Sequence, residues 1–185
     1  QSLTFPRSFA QADVDLSIFD GCSSLQYVEA SNMNVNFVAG GTSAFATLKQ
    51  TVPSTFYFKG SKDSELHKTA TREQIAYSFY DSTVPDDVYE LTIVEGGKKA
   101  IYRVDTQDRL VYCDMETGME TVTLPATIGP HKLTSIDSRT FQHNCALTKI
   151  TIPASITTIE GNAFRGCHRL RSVIFTDPTN LASIG

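Results

Sequence analysis

Residues 147–170 come back on themselves. The stretch Leu-Thr-Lys-Ile-Thr-Ile-Pro-Ala-Ser-Ile-Thr-Thr-Ile-Glu-Gly-Asn-Ala-Phe-Arg-Gly-Cys-His-Arg-Leu sets apolar side chains at Leu147, Ile150, Ile152, Ile156, Ile159, Ala163, Phe164, Cys167 and Leu170. That spacing keeps neither the 3.6-residue period of a helix nor the two-residue period of a strand. It describes a short strand, a tight turn and a corner, closing on a second leucine at position 170. A unit that returns in register stacks on copies of itself, as the rung of a solenoid does.

The step from Leu147 to Leu170 recurs along the chain as a fixed period. Ile136 to Ile159 and Phe141 to Phe164 repeat it, and Val173 and Phe175 follow Ile150 and Ile152 by the same interval. Val122, Leu124, Pro125 and Ile128 match Ile150, Ile152, Pro153 and Ile156, with an insertion around Gly129-Pro130-His131-Lys132. At the other end, Phe19, Gly21, Cys22, Leu25 and Val28 lie over Phe164, Gly166, Cys167, Leu170 and Val173 without a gap, and Phe5-Pro6 matches Ile152-Pro153. Residues 31–55 read as a degenerate rung, with Gly40-Gly41, then Ala44-Phe45 and Leu48, stopped by Pro53. Gln1 without a Met, Leu3 inside a rung and Gly185 part-way through one lead us to expect a trimmed piece of a longer array.

Two stretches are not repeat. Phe56-Tyr57-Phe58 reads as a strand, 62–72 as a helix capped by Ser61 or Asp63 with Leu66 and Ala70 inward, and 75–80 as a returning strand. Such a unit covers the apolar end that a bare array exposes. After a polar turn over 81–87, a meander follows: 89–94, a Gly96-Gly97 hairpin turn, 100–104, and 110–113.

The unit Leu-x-x-Ile-x-Ile-Pro-x-Ser-Ile-x-x-Ile-x-x-x-Ala-Phe-x-Gly-Cys-x-x-Leu resembles the BspA-like leucine-rich repeat. The likeness is close over 147–175, good over 120–146 and 17–28, and weak over 31–55. Residues 56–80 look like the strand–helix–strand element that often follows such repeats. The expected fold is an α/β repeat solenoid, a right-handed leucine-rich-repeat coil, β-rich with short helices, interrupted by the cap and the meander. Its expected parts are 1–80, an amino-terminal repeat block with its cap; 81–119, linker and meander; and 120–185, a truncated second block. The resemblance implies an extracellular or surface-anchored bacterial protein, similar to adhesins that bind host matrix, other microbes or glycans. Ligand residues do not transfer, because the shared positions are structural.

The residues themselves bound the chemistry. A net charge of −4 without a basic cluster argues against nucleic acid. No apolar run is long enough to span a bilayer as a helix. His143-x-Cys145 with Cys167-His168 might supply a zinc set, but the Cys spacing fits a repeat ladder, and we expect Cys22, Cys145 and Cys167 as reduced core residues rather than metal ligands or disulfides. Asp105-x-x-Asp108 and Asp86-Asp87 read as turns rather than calcium loops. Gly161 and Gly166 read as tight corners. Gly96-Gly97-Lys98-Lys99 lacks the spacing of a phosphate loop, and no nucleophile stands beside a base. We expect no catalytic, cofactor or metal residues and no enzyme activity.

What is left is binding. Residues between the inward ones face out and form a continuous strand face in a solenoid. The candidates are Tyr27, Glu29, Lys149, Thr151, Arg171 and Ile174, with Lys149 and Arg171 as a small basic patch. A tyrosine-rich segment from Tyr77 through Tyr80 to Tyr89 is a second candidate, set against simple packing of the cap strand. The expected partner is a protein or glycan. The alternatives are a structural spacer displaying other domains and a repeat module attached to an enzyme.

Overall fold

A computed structural model describes residues 2–5, 12–19, 22–30, 35–38, 55–62, 64–79, 88–176 and 180–185, without the side chains of 12, 13, 16, 17 and 35–38. Gly40-Gly41, Ala44-Phe45, Leu48 and Pro53 of the degenerate rung, the turn 81–87 with Asp86-Asp87, and Tyr80 and Asp63 lie outside the described residues. The chain divides into two compact units, 1–91 and 92–185.

The first unit holds β1 (Ser2–Phe5), β2 (Ala12–Asp15), β3 (Tyr27–Ala30), β4 (Val35–Val38), β5 (Tyr57–Gly60), helix α1 (Glu65–Glu73), β6 (Ala76–Phe79) and the start of β7 (Val88–Glu95). Strands β1, β3, β5 and β6 run parallel in that order, and β7 closes antiparallel on β6. Strands β2 and β4 pair in parallel, Ala12 opposite Val35, one period apart. So one part of the expected degenerate rung keeps the period. Along β3 and β5 the side chains alternate: Val28, Ala30 and Phe58 are buried, while Tyr27, Glu29, Tyr57 and Lys59 are partly exposed. Phe5, Phe19, Leu25, Leu66, Ala70, Tyr77 and Phe79 complete this core.

Helix α1 forms where the sequence places it, with Leu66 and Ala70 buried, but its cap is Ser64. The Ser64 hydroxyl accepts from the His67 amide at 3.1 Å and shares a second hydrogen bond with the Tyr77 hydroxyl, also at 3.1 Å. Ser61 contributes its carbonyl, which accepts from Tyr77 at 3.0 Å. The cap thus lies beyond both expected positions, because Tyr77, on the returning strand, fixes the loop. Glu65 in the first turn and Arg72 in the last suit the helix dipole.

The second unit begins inside β7. It contains β8 (Lys98–Asp105), β9 (Arg109–Met115), β10 (Thr121–Thr123), β11 (Thr127–Ile128), β12 (His131–Lys132), β13 (Ser135–Ile136), β14 (Lys149–Ile152), β15 (Thr158–Ile159), β16 (Ser172–Phe175) and β17 (Ser183–Ile184). Gly96 and Gly97, at φ 59° and 78°, make the turn into β8, the left-handed pair that a tight hairpin needs. Beyond the meander two parallel ladders run: β9-β13-β15-β17 and β10-β14-β16. Ser135 faces Thr158 and Lys149 faces Ser172, each pair one period apart. Val122, Leu124, Leu133, Ile136, Leu147, Ile150, Ile152 and Ile156 fill the interior and are almost wholly buried. Strand β14 ends at Ile152, directly before Pro153, which has no amide to continue the ladder. The insertion after Ile128 supplies the turn and β12, which pairs antiparallel with β11.

The corners depart from expectation in one respect. Gly166 is left-handed at φ 77°, but Gly161 is not; Asn162 takes the second left-handed position at φ 66°. The preceding rung repeats both, with Arg139 at φ 68° and His143 at φ 59°. The corner needs a left-handed residue, and non-glycine residues supply it at some strain.

Candidate binding face

The parallel register turns alternation into rows. In the first unit Ser2, Tyr27 and Tyr57 stand abreast on one line, and Thr4, Glu29 and Lys59 on the next. The Tyr27 and Tyr57 rings stack with centroids 5.2 Å apart and planes 24° apart. Tyr89, opposite Ser78 on β7, meets Tyr57 edge-on at 5.1 Å. It reaches over β6 because Ala76 and Ser78, both buried beneath, are small. Three aromatic rings therefore touch in sequence on the outer side of the sheet. Burial, with Tyr89 alongside, holds the Tyr57 phenol well above the usual tyrosine range, so it stays a neutral hydroxyl. Thr4 donates to Glu29 at 3.5 Å.

Of the tyrosine-rich segment, Tyr89 faces out and Tyr77 does not. Tyr77 is 1% exposed and packs with His67 and Phe79. The inner side also carries a buried polar contact. His67 Nε2 lies 3.2 Å from Glu90 Oε1, linking α1 to β7.

In the second unit Thr121, Lys149 and Ser172 form one outward row, and Thr123, Thr151 and Ile174 the other. Lys149 is exposed and Ile174 is 40% exposed. Arg171, also exposed, precedes β16; its amide donates to the Thr148 carbonyl at 2.9 Å, one place before Lys149. The strands thus bring Thr151 and Ile174 side by side, and set Lys149 opposite Ser172 with Arg171 directly behind. Glu95 fixes the near end of the second row, accepting from the Thr123 hydroxyl at 2.7 Å and its amide at 3.2 Å.

The corners hold the cysteines, and here the sequence reading needs correcting. All four thiols are free, yet Cys145 is exposed and Cys22 and Cys167 are only partly buried. The residue one period before Cys167 is Asn144, not Cys145. Cys22, Asn144 and Cys167 make the same turn: their amides donate to Phe19, Phe141 and Phe164 carbonyls at 3.0 Å, 3.1 Å and 3.1 Å. Asn144 Oδ1 accepts from the Ala146 and Leu147 amides, and Cys167 Sγ donates to the Phe141 carbonyl at 2.9 Å. At Asn144 and Cys167 the side chain serves backbone groups, while Cys22, partly buried, packs against the core of the first unit. Phe141 and Phe164, just upstream of these turns, do stack, at 5.1 Å and 6°. His143 and His168 are exposed. Among the described residues no group of three or more His, Cys, Asp or Glu is placed to hold a metal ion.

The Asp105–Asp108 carboxylates are taken up by the turn. Asp105 accepts from the Gln107 and Arg109 amides and from Arg109 Nε, at 3.0, 3.0 and 2.8 Å. Asp108 bonds His131 Nδ1 at 2.7 Å. Two shallow cavities in this unit, of about 340 and 250 Å³, are lined respectively by Glu95, Lys98 and Met119 and by Ile159, Phe164 and Ile184. Sequence reasoning missed Tyr57 and Lys59, because the step from Tyr27 to its neighbour Tyr57 is longer than the period from Leu147 to Leu170. No described helix is long and apolar enough to cross a membrane.

Parts of the chain are similar to known proteins. The family model of the BspA-type leucine-rich repeat region matches residues 115–185, in six copies. Within the matched residues the chain forms the two parallel ladders β13-β15-β17 and β10-β14-β16. A leucine-rich cell-surface protein from Faecalibacterium prausnitzii A2-165 is similar over 51% of this chain and 26% of its own, at 24% identity and a TM-score of 0.38. A leucine-rich repeat protein from Bacteroides capillosus is similar over 48% of this chain and 67% of its own, at 21% identity and a TM-score of 0.37. The leucine-rich repeat protein of T. pallidum covers 100% of this chain with 72% of its own, at 16% identity and a TM-score of 0.30. This chain spans about a quarter of the F. prausnitzii protein. No curated protein matches it in sequence.

Proposed function

We propose that this chain is a non-catalytic binding module, displayed at or outside a bacterial cell surface, that recognises a protein or glycan partner through the outward faces of its strand ladders. One observation carries the reading. Inward positions such as Val28, Phe58, Ile150 and Ile152 are spent on the core at 0% exposure, while the outward rows, Lys149 and Ile174 among them, remain exposed at the surface. Parallel register then multiplies each outward residue into a row, which is how a short repeat makes an extended recognition surface. In this reading 120–185 winds as a right-handed solenoid block, 1–80 is a block closed by its strand–helix–strand cap, and 81–119 joins them. The surface placement rests on the repeat type.

The test is saturable binding of the full chain to immobilised matrix proteins, mucins and a glycan array. Tyr27→Ala with Glu29→Ala, and Lys149→Ala with Arg171→Ala, are expected to lower binding at least tenfold in one pair or the other. A chain that binds nothing in the panel is the spacer, and binding that survives both pairs removes the strand face from the account.

A further inference from the structure

We infer that the outer end of the tyrosine row is a saccharide subsite, in which the open face of Tyr27 stacks against a neutral pyranose ring above Ser2. The inference rests on the binding role just proposed and names its ligand class. Neighbouring strands lie about 4.8 Å apart. Rings 5.2 Å apart and 24° from parallel on adjacent strands therefore lean along the ladder, each covering the next. Tyr57 is covered on one side by Tyr27 and meets Tyr89 on the other. Among the described residues, the ring that Tyr27 meets is Tyr57, on one side. On its other side the register places Ser2, which is small and exposed. The row thus ends in a flat aromatic wall rising from a low shelf.

The flanking chemistry suits hydroxyl groups. Thr4 and Glu29 stand further along the same strands, about 7 Å from the Ser2–Tyr27 pair. Glu29 faces Lys59, so among the described residues of these rows one acid stands beside one base. An aromatic face with an alternating acceptor and donor fits a neutral polyhydroxylated ring. A phosphate or sulfate would need a basic excess, and a long peptide would need an extended groove. The Tyr57–Tyr89 contact holds the wall in place, since an edge-to-face aromatic pair adds stability beyond the area it buries.

The experiment uses the full chain. Saturation-transfer NMR and calorimetry are run with maltopentaose, cellopentaose, mannopentaose and chitopentaose, and with a heparin oligosaccharide as the charged arm. At least one neutral sugar is expected to bind with saturation transfer to its ring protons. Tyr27→Ala and Ser2→Phe should each weaken it at least tenfold, the first by removing the wall and the second by filling the shelf. Tyr27→Phe should stay within about threefold, which shows that the ring face and not the hydroxyl is used, and Lys132→Ala, at an exposed position of the second unit, should change nothing. The subsite is overturned if no neutral sugar binds, if only heparin binds, or if Ser2→Phe leaves affinity intact. Matrix-protein binding retained alongside that result keeps the wider binding role; loss of both removes both.

Discussion

The segment from Ser135 to Ile159 and the segment from Tyr57 to Phe79 each lay a strand parallel to its neighbour, but different kinds of residue hold them. In the first, strand pairs, ring stacks and backbone turns recur one period away. Ile136 packs beside Ile159, Phe141 on Phe164, and the Asn144 turn repeats at Cys167. In the second, the contacts are singular. Tyr77 is locked by Ser64 and Ser61, His67 reaches Glu90, and Gly60 exists to make room. A repeat tolerates drift at any one residue so long as the size class is kept. A singular unit tolerates little, since each partner is specified. The difference teaches where to look for individuality: in the outward rows of the one and the polar lock of the other.

The deepest cut at the regular side is Ile150→Ala. Its side chain is fully buried between Val122 and Val173, so truncation opens a cavity across three strands and should cost about 2–5 kcal/mol in urea melts. A cost below about 1 kcal/mol would mean the rungs are not close-packed. Next is Gly60→Ala on the singular side. A Cβ there would lie 2.6 Å from the Tyr77 hydroxyl and 2.9 Å from the Ala30 carbonyl, and a backbone oxygen cannot step aside. The expected loss is about 1–3 kcal/mol.

Ser64→Ala removes the helix cap and one partner of Tyr77 together, for about 1–2 kcal/mol. Its effect should be non-additive with Tyr77→Phe in a double-mutant cycle; strict additivity would break the proposed lock. Alkali probes both units at once. Burial holds the phenols of Tyr57 and Tyr77 in the first and Tyr102 in the second above their ordinary value of 10.0. Below pH 10 both folded and unfolded chains keep these protons, and the stability is intact. As pH rises past 10 the unfolded chain gives them up while the folded one holds them, so Tm should fall steadily. A flat Tm, with all seven tyrosines ionising together near pH 10, is the contrary result. Smallest of all is Cys145→Ser, expected within about 0.5 kcal/mol because the thiol is exposed; a core cysteine would cost more.

How far the sequence carried the reading follows the same division. The repeat step gives the pairs Ser135–Thr158 and Ile150–Val173 directly, because stacking forces one register. It also gives Asn144 for Cys167, yet the attraction of a shared residue type drew Cys145 into that place. Tyr57 was out of reach, since the connection between β3 and β5 is longer than one period allows and only the fold shows that it ends on Tyr27. The Ser64 cap failed for a related reason: Ser61, Asp63 and Ser64 are all good caps locally, and a tertiary partner, Tyr77, decides among them. Local pattern fixes what repeats; a unique contact between distant residues leaves no period to read.

One measurement bears on the central claim, that the inner faces hold the fold and the outer faces serve recognition. A single variant carries Tyr27→Ala, Glu29→Ala, Lys149→Ala, Thr151→Ala, Arg171→Ala and Ile174→Ala, and is compared with the parent chain by circular dichroism melting and on the matrix-protein and glycan panel. The account predicts a cooperative melt with strand content unchanged, and binding reduced at least tenfold. A folded variant that binds as the parent does would contradict it.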